Sequence, residues 1–77
     1  MNASIDVQRL VHAWESLQSV ARVAHIDSEA EYEQTIVLLN SLLDAVRDDA
    51  GHPLYSLVSV VGDLIEAYEL DHDPLDD

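Results

Sequence analysis

His52-Pro53-Leu54-Tyr55-Ser56-Leu57-Val58-Ser59-Val60-Val61-Gly62-Asp63-Leu64-Ile65-Glu66-Ala67-Tyr68-Glu69-Leu70 is the stretch whose periodicity decides the fold. Leu54, Leu57, Val58, Val61, Leu64, Ile65 and Tyr68 recur at three- and four-residue steps, which gathers them on one face of a helix. Ser56, Ser59, Asp63 and Glu66 fall on the opposite face. Proline suits the first turn, where its missing N–H is not needed. A helix over residues 53–70 would be about 27 Å long. Gly62 costs roughly 1 kcal/mol relative to alanine inside a helix, and close approach of another helix is the expected reason for it.

Upstream, Ser28-Glu29-Ala30-Glu31 matches the capping box. In that motif the serine hydroxyl accepts a free backbone N–H, and the glutamate reaches back to the cap residue. It predicts a second helix over 29–50, with Ile26 stapled against Tyr32 and Gly51 as a left-handed C-cap. Tyr32, Ile36, Leu39, Leu43 and Val46 form its stripe. Leu38 and Leu42 widen the stripe, which predicts contact on two sides. Further upstream, Val7, Leu10, Val11, Trp14, Leu17, Ala21 and Ala24 predict a first helix over 5–25, with Ser4 as N-cap. Pro74 is expected to stop the third helix, and residues 71–77 read as an acidic tail. The expected fold is therefore all-α, one three-helix domain over 1–77 that dimerises into a helical bundle.

Seventy-seven residues suffice for one domain. A chain this short buries only about 60% of its unfolded surface, so a second copy would add useful burial. Sixteen acids against three arginines give a formal net charge of −13. The charge deepens along the chain, from −1 over residues 1–27 to −5 over 28–50 and −7 over 51–77. Such a field repels phosphate backbones and anionic lipid, and steers in a basic protein. Nucleic acid and membrane are thus unexpected partners. No apolar run approaches the roughly 20 residues needed to cross a bilayer. Met1-Asn2-Ala3-Ser4 lacks a basic signal-peptide start, and the absence of cysteine fits the cytoplasm.

Catalytic signatures are weak. Gly51 and Gly62 are the only glycines, too few for a phosphate-cradling loop. Glu69-x-x-His72 has di-metal spacing, but it lies where the third helix ends. Asp63, Glu66 and Glu69 could in principle hold Mg²⁺, and read more simply as a solvated acidic face. Trp14 and Tyr32 lie on core stripes and are expected to pack inside. Tyr55 and Tyr68 border the third stripe and are the better interface candidates, as tyrosine is enriched at binding hot spots. No catalytic residue, cofactor or metal site is expected. The candidate partner-binding residues are Tyr55, Gly62, Asp63, Glu66, Tyr68 and Glu69.

Two segments taken together resemble a known family. Ser28-Glu29-Ala30-Glu31-Tyr32-Glu33 resembles the opening of HigA-type antitoxins. So does the close, Gly51-His52-Pro53-Leu54, then Leu57, then Leu64-Ile65-Glu66-Ala67-Tyr68-Glu69, then His72 and Pro74. The resemblance covers roughly residues 26–75, and the first helix is similar to an extra N-terminal helix of some members. It implies a bacterial type II toxin–antitoxin system, a basic HigB-type mRNA-cleaving toxin as partner, and homodimerisation. Family members usually continue into an operator-binding helix-turn-helix. This chain stops at Asp77, as a truncated or a natural short form, so DNA binding is not carried over to it. Two rival readings stand beside this one. One is a metal-dependent all-α nucleotide hydrolase, for which Asp63-x-x-Glu66 is the nearest signature. The other is an acidic DNA mimic that blocks a nucleic-acid-binding protein.

Overall fold

The computed structural model describes residues 4–72. Three helices follow in order, α1 (Val7–Val20), α2 (Glu29–Val46) and α3 (Tyr55–Asp71). The chain is all-α, as its periodicity requires.

α2 and α3 form an antiparallel-connected pair around one core. Ile26, Leu42, Val61 and Ile65 are buried at its centre. Tyr32, Ile36, Leu38, Leu39, Leu57, Val58, Leu64 and Tyr68 pack around them. Val61, with no exposure at all, marks the tightest point of the α3 stripe. Thr35 is also buried, and its Oγ1 donates to the Glu31 carbonyl at 2.8 Å, so no polar atom is stranded there. The widened α2 stripe is used on all but one of its positions: Leu42 and Val46 are buried, Tyr32, Ile36, Leu38 and Leu39 are packed on the core, and Leu43 faces out.

The start of α2 follows its sequence signature with one change. Ser28 Oγ accepts from Glu31 N at 3.2 Å. Glu31 Oε1, however, accepts from Asp27 N at 2.8 Å rather than from the cap residue itself. The same oxygen lies 3.1 Å from Arg22 Nη2, which also donates to the His25 carbonyl. Ile26, held between these contacts, enters the core against which Tyr32 packs.

α1 departs from expectation. It is capped by Asp6, which accepts from Arg9 N at 3.2 Å, and not by Ser4. It stops at Val20 and not at His25, and Ala21 is fully extended. The Gln18 side chain explains the stop. Its Oε1 accepts from Val23 N at 3.2 Å and its Nε2 donates to Val23 O at 3.1 Å. That amide satisfies the Val23 peptide outside a helix and lets Val23 and Ile26 turn inward. Among the described residues α2 and α3 are the one helix pair in contact, so α1 stands apart from both. Trp14 is accordingly 49% exposed, which overturns its assignment to the core. An 18-residue helix spans only about 27 Å. The 51 Å long axis of the molecule thus reflects α1 reaching beyond the α2–α3 body.

The α2–α3 connection also differs. α2 ends at Val46, four residues before the expected end, and Arg47 caps it with φ 53°. Gly51 has no positive φ, so it is not the left-handed cap. The turn is built from side chains instead. Asp49 Oδ1 accepts from Gly51 N at 2.9 Å, and His52 Nδ1 accepts from Leu54 N at 3.0 Å. Pro53 sits just ahead of α3, which starts at Tyr55. Gly62 has nothing within 4 Å of the place a Cβ would occupy. The close helix approach expected there does not occur within the chain. Pro74 and most of the expected acidic tail lie outside the described residues.

Candidate partner-binding cleft

Three rings stack at the end of the pair where α2 begins and α3 finishes. Tyr68 and His72, four residues apart on α3, share a helix face. Their ring centres are 4.1 Å apart with planes 19° from parallel. Tyr32, in the first turn of α2, lies on the other side of Tyr68 at 5.0 Å and 26°. The His72 ring is fixed by Nδ1, which donates to the Tyr68 carbonyl at 3.0 Å. The Tyr32 hydroxyl donates to Glu69 Oε2 at 2.5 Å, tying α2 to α3 across the column. This is a charge-assisted bond, the shorter and stronger kind.

Around this column lies a cleft of about 570 Å³, lined by Glu29, Tyr32, Glu66, Tyr68, Glu69, Leu70 and His72. Three of its seven residues are glutamates and none is lysine or arginine. The local field is therefore strongly negative. Its effect shows on the phenols. Tyr32 is raised above the ordinary tyrosine value of 10.0, first by its bond to the Glu69 carboxylate, then by burial and the nearby negative charges. Tyr68 is raised as well, first by burial and then by the Glu29 carboxylate. Both phenols stay protonated and neutral, and Tyr32 remains a donor. The arrangement suits a cation that can lie over an aromatic face while meeting carboxylates at the rim. A guanidinium does both.

The sequence candidates divide. Glu66, Tyr68 and Glu69 come together in the cleft. Tyr55 is at the opposite end of α3, 46% exposed, and Asp63 and Gly62 lie outside the cleft lining. Glu29, Tyr32 and His72 belong to the site and were not among the candidates. Glu29 was read as part of a helix cap, Tyr32 as core and His72 as a weak metal ligand. His72 is committed to the ring column and Glu69 to Tyr32, so the Glu69-x-x-His72 spacing serves packing across the helix pair. Among the described residues no three of the His, Cys, Asp and Glu side chains gather as a metal-ligand set. No helix of the described residues is long and apolar enough to cross a membrane.

Comparison with known proteins gives a family match. No curated protein and no solved structure shows a significant match. The family described as HigA antitoxin, N-terminal domain, matches residues 8–77, which extends the likeness through α1 as well as the two motifs that form the cleft. The chain belongs to the HigA antitoxin N-terminal domain family.

Proposed function

We propose that this domain binds a basic HigB-type, mRNA-cleaving toxin in the bacterial cytoplasm and does so as a homodimer. Membership of the antitoxin family supports a role in a toxin–antitoxin system. The observation that carries the toxin-binding reading is the acidic, ring-walled cleft. Glu29, Glu66 and Glu69 surround the Tyr32–Tyr68–His72 column with no cation of the chain among the lining residues. An arginine of the toxin would stack on the column and pair with Glu66 or Glu29, since Glu69 is already engaged by Tyr32. The chain's net charge of −13 steers the encounter. No catalytic step is needed for this action.

The test is a calorimetric titration against the small basic protein encoded beside the gene. Tight binding that weakens with salt supports the reading. Glu66→Gln, which keeps shape and removes charge, should slow association and flatten its salt dependence. Binding unaffected by Glu66→Gln and Glu29→Gln together would move toxin contact to another face. A folded chain with no binding at all would remove the toxin reading. The nucleotide-hydrolase alternative is weakened because Asp63, half of its nearest signature, does not line the cleft with Glu66.

A further inference from the structure

We infer that α1 is the arm through which two copies of this chain associate, pairing antiparallel along Val7, Leu10, Val11 and Trp14. The inference rests on the homodimer part of the reading above and supplies the surface. These four side chains share one helix face and are 65%, 54%, 46% and 49% exposed. An amphipathic helix holds in water chiefly because its apolar face is covered, and neither α2 nor α3 covers this one.

The arm is held away from its own body. The Gln18 amide clasps both polar groups of the Val23 peptide, and Arg22 ties the connector to His25 and Glu31. Folding α1 back over the α2–α3 core would break these contacts.

Charge selects a second copy as the occupant. Residues 28–77 carry −12 of the total −13, so two bodies repel each other wherever they face. α1 holds one arginine, Arg9, and one acid, Glu15, both off the apolar stripe. It is the one helix that two copies can share without bringing like charges together. A basic partner, by contrast, is drawn to the carboxylates of α2 and α3.

The stripe is also self-complementary. With the two-fold axis between Leu10 and Val11, Val7 of one copy meets Trp14 of the other, and Leu10 meets Val11. Such isologous pairing is what a two-fold dimer needs. The exposed area on this face is roughly 400–500 Å² per copy, at the low end for specific association, so the dimer should be reversible.

Equilibrium sedimentation of the 77-residue chain without toxin tests the proposal, with Trp14 emission as a second readout, since it is the only tryptophan. The expected result is a concentration-dependent mass approaching two chains, with emission moving to shorter wavelength as the dimer fills. Leu10→Gln and Trp14→Ala both permit a helix. Each should raise the dissociation constant roughly 10-fold or more, because every substitution acts twice across a two-fold axis. Gly62→Leu, at an open position, should leave it unchanged. A wild-type mass of one chain throughout would overturn the proposal and the homodimer reading together, and would leave the α1 face to a different protein. A dimer that survives Leu10→Gln and Trp14→Ala but is lost in Gly62→Leu would overturn the α1 arm and keep the homodimer. Toxin binding, measured separately, is expected to persist in Leu10→Gln.

Discussion

Replacing Ile65 by alanine and, separately, Trp14 by alanine should have opposite weights from those that residue size suggests. Ile65 is 6% exposed and lies in the cluster with Ile26, Leu42 and Val61. The change removes three carbons. At about 0.8 kcal/mol per buried methylene the transfer loss is about 2.4 kcal/mol, and the cavity left between two helices adds to it. A total near 3 kcal/mol is expected, against a stability of roughly 4–11 kcal/mol for a chain of this length. For so small a domain this lowers Tm by roughly 12–24 °C. Trp14 is far larger, but it is half exposed and its helix touches neither partner. At high dilution, where α1 is unpaired, its removal should cost less than about 1 kcal/mol. Thermal and urea unfolding followed by circular dichroism at low concentration measure both. A Trp14→Ala loss equal to that of Ile65→Ala would refute the separation of α1 from the core.

Three further outcomes follow from particular contacts. Arg47 occupies φ 53°, a region that costs an L side chain energy, so Arg47→Gly should stabilise the chain by about 0.5–1 kcal/mol in urea unfolding, less what its bond to the Asp44 carbonyl contributes. Tyr32 and Tyr68 hold their protons more tightly when folded. Their contribution to stability is whole below pH 10.0 and is lost as pH rises through the folded values, so urea midpoints should fall in the alkaline range and fall less steeply in Tyr32→Phe. Gln18→Ala removes both bonds to the Val23 peptide, and amide exchange at Val23 should quicken by about 10-fold, the equivalent of about 1.4 kcal/mol, with exchange in α2 unchanged.

Much of the fold was legible because α2 and α3 bury regular stripes. Leu42, Val61 and Ile65 are core residues by spacing alone, and Ser28 caps α2 as its motif requires. What was not legible depends on side chains competing with the backbone. Periodicity carried α1 to His25 because Ala21 and Ala24 keep the apolar rhythm. Nothing in that rhythm reports that Gln18 will bond Val23 and end the helix. Nor does it tell a stripe that is covered from one that is bare, and Trp14 was placed inside for that reason. Gly51 looked like the cap because glycine is the usual choice there; Arg47 takes the strained conformation instead, and Asp49 and His52 organise the turn. The cleft was half visible. Glu66, Tyr68 and Glu69 share one short segment, whereas Glu29 and Tyr32 arrive from 37 residues away by the Tyr32–Glu69 bond.

The positions of the two surfaces have a mechanical consequence. The cleft is built where α2 starts and α3 ends, and its charge comes from residues 28–77, which hold nearly all of the chain's excess acid. The apolar arm belongs to α1, which carries little net charge and extends the molecule to 51 Å. Pairing through Val7, Leu10, Val11 and Trp14 uses none of the residues that line either cleft. Toxin affinity should then be the same for a monomeric α1 variant as for the dimer, with two equivalent sites and no cooperativity. Neutralising one body by a bound cation does nothing to the neutral α1 contact, so by reciprocity the partner should not alter dimer affinity either. A dimer that tightened on partner binding would mean that the acidic bodies face each other, which the separation of α1 from α2 and α3 argues against.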